Sequence, residues 1–359
     1  MAGTSPAMTI DGHMAEDLFL RDLWYMAALG ASLRRGDMRR VMLLGEPVLL
    51  GRTKAGEAFA LRDICPHRGV PLSAGRILDD ATVECPYHGW RFKPGGQCAL
   101  IPSLVGGEAI DAANIRVRSY PLREQDGLIW VYMPTPGRES ALPNADPPRV
   151  PVPNAAPRWS ESQTFACAID HAVIGLMDPA HAPYVHGRWW WQVKPRVKEK
   201  RYGPLPTGFV MLRHAPSKPA YKLLGAGVST EITFELPGLR FENIDATLFG
   251  RKVRVSGFTA CTPIDADTTQ VTQIFYWPRW LGFIKPFFWA LGPTFLGDDR
   301  RMVELQREGL KFDPRLMLIQ DADQPAIWYH RLKKAWAEHT ETGTPFVNPI
   351  AERTLKWRS

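Results

Sequence analysis

Two short runs in the first quarter of the chain carry residue types that bind metals: Cys65-Pro66-His67 and Cys85-Pro86-Tyr87-His88. Each run offers one thiolate and one imidazole, and Gly69 or Gly89 follows closely, where glycine permits a tight turn. Two cysteines and two histidines from paired loops can hold a [2Fe–2S] cluster in which the cysteines bind one iron and the histidines bind the other. The spacing therefore predicts such a mixed-ligand cluster on Cys65, His67, Cys85 and His88.

A structural zinc site is the main alternative for these four residues. Zinc sites with two cysteines and two histidines usually keep the cysteine pair together and the histidine pair together along the chain. Here each loop carries one of each, which suits a cluster with two unlike irons. The arrangement therefore favours a Rieske-type cluster over zinc.

A second possible metal site lies in LMDPAHAPYVHG, where His181 and His186 follow Asp178. Two histidines and one carboxylate form the facial triad of non-heme Fe(II) oxygenases, which leaves the opposite face of the iron open. We expect Asp321 to supply the carboxylate, with Asp323 as the alternative, because both follow an apolar run and precede a predicted helix. Asp178 is expected to reach a ring nitrogen of a ligand histidine rather than to bind iron.

Composition and charge restrict the class of protein. The chain has 359 residues, of which 45% are hydrophobic, enough for a large core and two domains. Cys98, Cys167 and Cys261 are scattered and predict thiols rather than disulfides, which indicates a reducing, cytoplasmic compartment, and no signal peptide is visible. The net charge is +7, and Arg68, Arg76, Arg91 and Lys93 near the first site could attract an acidic electron donor. No motif indicates nucleic-acid binding.

The pattern along the chain predicts an α+β protein in four parts. Residues 1–19 form an N-terminal segment, 20–133 an all-β domain, 134–159 a proline-rich linker, and 160–359 a domain with an antiparallel sheet covered by helices. Helices are predicted within 165–191 and over 298–311 and 325–339, and a loop over 215–227. The apolar stretch 277–297 is interrupted by two cations and two prolines, so it is not a membrane span. It could line a pocket or the core, or it could meet lipid or a lipophilic substrate.

The combination of C-x-H, C-x-x-H and D-x-x-H-x-x-x-x-H resembles the oxygenase component, or α subunit, of the Rieske non-heme iron oxygenases. The LMDPAH sequence is most similar to the branch with pheophorbide a oxygenase and several monooxygenases and O-demethylases. This resemblance implies a Rieske domain followed by a helix-grip catalytic domain, a homotrimer, and a bridge from Asp178 to His88 of an adjoining subunit. Ile174 and Gly175 stand where many relatives carry Asn or Glu-Asn.

The resemblance implies a monooxygenase that takes electrons from an NAD(P)H-dependent reductase or a ferredoxin and hydroxylates a bulky hydrophobic substrate. Aromatic, terpenoid, sterol-like and tetrapyrrole substrates all fit, and peripheral contact with a membrane is compatible with the apolar stretch. O- or N-demethylation and arene dihydroxylation remain open. An electron-transfer or redox-sensing protein is the alternative of a different class. Trp189, Trp190 and Trp191, and the aromatic residues of 280–296, could line the substrate pocket or pack the core.

Overall fold

The computed structural model describes residues 8–10, 19–105, 111–138, 141–152, 155–186, 195–216 and 226–359. Trp189, Trp190 and Trp191, and most of the loop predicted over 215–227, lie outside the described residues. The chain divides into two compact units, residues 21–149 and residues 1–20 with 150–359. The first strand, β1 (Met8–Ile10), belongs to the second of these units. The boundary at residues 149 and 150 lies within the segment predicted as a linker.

The first unit, residues 21–149, is built from three small antiparallel sheets, with strand orders β10-β5-β4-β3, β11-β12-β2 and β6-β7-β8-β9. Its strands are β2 (Leu23–Leu29), β3 (Met38–Leu43), β4 (Glu46–Arg52), β5 (Ala58–Arg62), β6 (Arg76–Ile77), β7 (Val83–Glu84), β8 (Arg91–Phe92), β9 (Cys98–Leu100), β10 (Ser119–Tyr120), β11 (Leu122–Gln125) and β12 (Leu128–Met133). All six residues of β12 are buried, as a strand rich in β-branched and aromatic residues favours. The Cys65–His67 run lies between β5 and β6, which belong to different sheets, and the Cys85–His88 run lies in the hairpin of β7 and β8.

The second unit is an eight-stranded antiparallel sheet in the order β13-β19-β18-β17-β16-β15-β14-β21. Its strands are β13 (Trp159–Phe165), β14 (Val197–Leu205), β15 (Gly208–His214), β16 (Ala226–Glu235), β17 (Leu239–Leu248), β18 (Arg251–Asp265), β19 (Thr268–Tyr276) and β21 (Arg353–Arg358). A separate pair joins β1 to β20 (Leu316–Leu318). The helices are α1 (Ile169–Met177), α2 (Ala182–Val185), α3 (Lys285–Leu310) and α4 (Gln324–Thr342).

Helix α3 is longer than the sequence predicts, because the predicted helix over 298–311 is only its second half. Pro286 occupies the first turn, where a missing N–H costs nothing, and the helix continues through Pro293. Gly292 lies against Trp159 of β13, since a Cβ added there would come within 2.3 Å of the indole ring. Pro286 and Pro293, which interrupt the apolar stretch in the sequence, therefore both lie inside α3, and this helix packs closely against β13.

Candidate metal centres

The two cysteine-histidine loops of the first unit have the same backbone geometry. The Cys65 N–H donates to the Val70 carbonyl over 2.9 Å, and the Cys85 N–H donates to the Trp90 carbonyl over 2.8 Å. The Gly69 and Gly89 N–H groups donate back to the carbonyls of Cys65 and Cys85, and both glycines have positive φ, 74° and 69°. Because L-residues rarely adopt that conformation, glycine is required for both turns.

The two pairs of ligands differ in burial. Both cysteines belong to the hydrophobic core of the first unit, together with Leu72, Val83 and Phe92. His67 and His88 are exposed, and their ring centroids lie 4.6 Å apart. This layout fits a cluster with one iron held inside by thiolates and the other held at the surface by imidazoles.

The surroundings of the loops modify two further expectations. Burial, together with the neighbouring Cys85 thiol, raises the pKa of Cys65 to about 11, so the free thiol is protonated near neutral pH and cluster assembly must displace the proton. Of the four cations expected to attract an electron donor, Arg76 and Arg91 both form ion pairs with Glu84, at 2.7 and 3.2 Å. The patch is therefore weaker than its sequence composition indicates.

Short helix α2 positions the two histidines of the second unit. His181 is its N-cap residue and His186 its C-cap residue, so the two imidazoles project from opposite ends of one helical turn. Their Nε2 atoms lie 3.3 Å apart. His181 Nδ1 lies 2.8 Å from the Asp178 backbone carbonyl, which can only accept a hydrogen bond. The proton is therefore on Nδ1, and Nε2 presents a lone pair toward His186.

The carboxylate beside these histidines is Asp299, on α3. Its Oδ1 atom lies 3.2 Å from His186 Nε2 and 3.7 Å from His181 Nε2. Three ligands bound at about 2.1 Å on one face of an octahedron would lie about 3.0 Å apart, so a small contraction around an ion brings the three atoms into place. The ligand atoms of His181, His186 and Asp299 all lie within 4.8 Å of one another, so these three residues could hold a single metal ion.

The expectation that Asp321 supplies the carboxylate is corrected by this geometry. The Asp321 carboxylate accepts hydrogen bonds from the Arg353 guanidinium and the Lys356 backbone N–H, at 2.7 and 3.0 Å, and so joins its loop to β21. Asp323 is the N-cap residue of α4, and its carboxylate accepts the Ile319 N–H. Asp321 therefore ties the loop before α4 to β21, and Asp323 closes the turn that precedes the helix.

The donor set fits a mononuclear iron. Fe(II) prefers borderline and hard ligands, and the two neutral imidazoles are borderline ligands while the carboxylate is a hard one. Burial lowers the pKa of His181, which favours the neutral imidazole that can bind a metal. His186 Nδ1 is buried without a hydrogen-bond partner among the described residues, although the Asp298 carboxylate lies 3.7 Å away. Contraction around a metal could bring this pair into hydrogen-bond range.

Asp178 lies next to this group, in the place expected from the sequence. Its backbone carbonyl, rather than its carboxylate, contacts His181 Nδ1, because the carboxylate Oδ2 is 3.7 Å from that nitrogen. The other carboxylate oxygen accepts the Ala180 N–H over 2.6 Å. Burial raises the pKa of Asp178.

Sequence reasoning missed Asp298 and Asp299. A pair of acids directly after the apolar run PTFLG was the available signal, since a carboxylate among apolar residues needs a partner. Phe295, one turn before Asp299, packs its ring 5.2 Å from the His186 ring. The aromatic residue and the acid therefore approach His186 from the same side of α3.

Comparisons with known proteins agree with both centres. The family described as Rieske [2Fe-2S] domain matches residues 23–121, and the family described as vanillate O-demethylase oxygenase C-terminal domain matches residues 175–339. The oxygenase component of dicamba O-demethylase from Stenotrophomonas maltophilia is 38% identical over 185 residues, which cover 47% of this chain and 48% of that protein. Chlorophyllide a oxygenase from Chlamydomonas reinhardtii is 34% identical over 359 residues, covering 95% of this chain and 53% of that protein.

The crystal structure of dicamba monooxygenase bound to dicamba has a TM-score of 0.67 at 25% identity, and the match covers 90% of this chain and 98% of that one. The predicted fold class, an all-β Rieske domain followed by a catalytic domain with a large antiparallel sheet, is confirmed. The chain spans about half the length of the two curated relatives described above.

Proposed function

Because this chain belongs to the Rieske non-heme iron oxygenases, we propose that it is the oxygenase component of a multicomponent monooxygenase. It uses O₂ and electrons from a separate donor to hydroxylate a bulky hydrophobic substrate. The observation that carries this function is the second group of ligands, His181, His186 and Asp299. An electron carrier or redox sensor would need only the cluster.

Two metal groups supply the reactive chemistry. When bound, the [2Fe–2S] cluster accepts and releases single electrons, and the mononuclear Fe(II) activates O₂ for insertion into a C–H bond. Cys65, His67, Cys85 and His88 would hold the cluster, and His181, His186 and Asp299 would hold the iron. The protein contributes ligand orientation: the Asp178 carbonyl fixes the His181 ring and its proton on Nδ1.

The half-buried surroundings of the triad limit the access of water. Phe295 covers one side of His186, and His186 itself is buried. An apolar substrate that occupies the remaining open face would complete this exclusion, which protects a strong oxidant from reaction with solvent.

A homotrimer would bring the two kinds of centre together across subunits. Asp178 of one copy would hydrogen-bond His88 of an adjoining copy, which requires an accessible histidine and a carboxyl beside the iron ligands. His88 is exposed, and Asp178 adjoins His181. A head-to-tail contact that closes after three copies satisfies both conditions.

The substrate would be apolar and ring-containing, with O- or N-demethylation as the second candidate outcome. The dicamba relative is named as an O-demethylase, and the C-terminal family takes its name from vanillate O-demethylation, whereas the chlorophyllide relative acts on a tetrapyrrole. Insertion of oxygen into the methyl of a methoxy or N-methyl group gives a product that loses formaldehyde. One centre can therefore support hydroxylation or demethylation according to which C–H bond approaches it.

The partners would be a reductase or ferredoxin, in a reducing compartment such as the cytoplasm. The five cysteines are free and buried, which suits such a compartment. No helix in the described part of the chain is both long and apolar enough to cross a membrane.

Single-turnover chemistry tests this function. Protein loaded with iron and sulfide is pre-reduced, mixed with ¹⁸O₂ and a panel of lipophilic aromatic, terpenoid and methyl-ether compounds, and its products are analysed by mass spectrometry. We expect one ¹⁸O atom in a hydroxylated product, or formaldehyde from a demethylated one. His181→Ala should keep the EPR signal of the reduced cluster and give no product. Two irons per chain instead of three would contradict the oxygenase function and support an electron carrier.

A further inference from the structure

A group of exposed aromatic side chains lies at one end of the second unit. Phe249 at the β17–β18 turn is 80% exposed, and Trp280, Phe283, Phe287 and Trp289 around the start of α3 are 40%, 63%, 47% and 77% exposed. We propose that this surface, called here the aromatic end, binds an anionic lipid bilayer. The binding is peripheral and uses no membrane-spanning segment.

The turn and the start of α3 form one continuous surface. Leu248, next to Phe249, packs into the same hydrophobic cluster as Leu281, Ile284 and Phe288. A cavity of about 920 Å³ beside this cluster is lined by Lys252 at the start of β18 and by Arg279 from the segment before α3. Because both segments share a core and a cavity wall, they lie next to each other on the surface of the second unit.

The charged side chains in the two segments of the aromatic end are all cations, and Asp245, the acid in the wall of the shared cavity, is paired with Arg213 and Arg254. Arg251, Lys252, Arg279 and Lys285 belong to the aromatic end, whereas residues 246–252 and 279–297 contain no aspartate or glutamate. None of these four cations has an ion-pair partner among the described residues. The negative surface of a membrane with acidic lipids attracts such cations, by roughly 1 kcal/mol for each Lys or Arg near the surface.

The mixture of residue types indicates a lipid surface rather than a second copy or another protein. Lysine is depleted in the cores of protein interfaces, whereas Lys and Arg between Trp and Phe are typical of segments that lie in the headgroup region. Tryptophan is enriched at that depth because its ring is apolar and its N–H can stay hydrated. Trp280 and Trp289 flank the two exposed phenylalanines of this segment in the sequence.

The aromatic end is connected to the iron ligands by a single helix. Trp289 and Asp299 both lie on α3, ten residues apart, which corresponds to about 15 Å along the helix axis. A substrate dissolved in the bilayer would then have a short route to the open face of the metal. This consequence rests on the proposed function, whereas the lipid binding itself does not.

Vesicle sedimentation tests the binding. The full chain is mixed at 0.1 M salt with phosphatidylcholine vesicles that contain or lack 30% phosphatidylglycerol, and the bound fraction gives a partition coefficient. We expect at least tenfold stronger binding to the anionic vesicles, weakened by 0.5 M salt as screening requires. The double variant R251Q/K252Q should bind about 25-fold more weakly, since each cation contributes about fivefold. Trp289→Ser and Phe283→Ser should each weaken binding to both kinds of vesicle.

Matched variants separate this surface from general effects. Phe312→Ser removes an aromatic residue that is also strongly exposed but lies beyond the other end of α3, and it should bind as the unaltered chain does. His181→Ala should also bind normally, which distinguishes failure of docking from failure of catalysis. Equal binding to neutral and anionic vesicles, or no binding by the folded chain, would overturn the inference. The inference would also be overturned if copies of the chain assembled with one another and the aromatic substitutions dissociated that assembly. The aromatic end would then belong to a protein interface.

Discussion

Replacement of the carboxylates around the second centre provides the sharpest test of its assignment. Asp299→Ala removes the oxygen that lies 3.2 Å from His186 Nε2 and 3.7 Å from His181 Nε2, and leaves two imidazoles as the protein ligands. Loss of a residue that only supports a ligand costs about 10- to 100-fold in metal affinity, so loss of a ligand should cost more than 100-fold. Purified Asp299→Ala should contain two irons per chain, both in the cluster.

Two further variants grade the effect by distance. The Asp298 carboxylate lies 3.7 Å from Nδ1 of His186, on the side of the ring away from the proposed iron, so Asp298→Ala should weaken iron binding by about 10- to 100-fold. Asp321→Ala should keep the iron, because its carboxylate binds Arg353 and the Lys356 N–H instead. It should lose about 1 kcal/mol of unfolding free energy, or about 2–4 °C in Tm.

The iron content of each variant is measured after dialysis against a ferrous chelator, together with the optical spectrum of its cluster. The three variants are then ranked by how much mononuclear iron they retain. The unaltered cluster spectrum in each variant is the control for folding of the first unit. If Asp321→Ala lost the mononuclear iron while Asp299→Ala retained it, the geometric assignment would be refuted.

Three other predictions concern the stability of the folded chain and the cluster content of the first unit. Tyr202 and Tyr329 are both buried, but the Tyr329 hydroxyl donates to Asp170 over 2.6 Å, whereas the Tyr202 hydroxyl has no partner among the described residues. Tyr329→Phe should therefore cost about 1–3 kcal/mol in urea unfolding and Tyr202→Phe nothing; equal losses would show that Tyr202 has a hydrogen bond after all. Hydrogen bonds from Arg254 and an adjoining arginine lower the pKa of Asp245 to about 2, so the folded state gains stability that is complete above the unfolded pKa, near 4, and is lost as pH falls toward 2. Asp245→Asn should be less stable at pH 7 and should lack this part of the acid dependence in thermal melts, and an unchanged profile would exclude the ion pair as its source. A Cβ at Gly75 would come within 1.9 Å of the Glu84 carbonyl, so Gly75→Ala should disrupt the β6–β7 pairing and lower cluster content, whereas Gly95→Ala, whose Cβ would approach no atom closer than 3.6 Å, should leave cluster absorbance intact.

The sequence alone determined the parts of this protein whose residues are close neighbours along the chain. The cysteine-histidine runs are local, and the turns that form them need only a glycine at a fixed offset, as Gly69 and Gly89 show. His181 and His186 lie on one helical turn, so their pairing is also local. The alternating strands made the all-β first unit and the antiparallel second unit predictable from the pattern of side chains.

Only the tertiary structure decided which acid completes the second centre. Asp299 is 113 residues after His186, and the sequence pattern favoured Asp321 or Asp323, which follow His186 by 135 and 137 residues. The choice depends on how α3 packs against β13, where Gly292 admits the Trp159 ring. The two prolines of α3 concealed that helix in the sequence, because a proline signals a break unless packing elsewhere compensates for the lost hydrogen bond. Long-range contacts of this kind are fixed by the shape of the core, and residue type and spacing do not encode them directly.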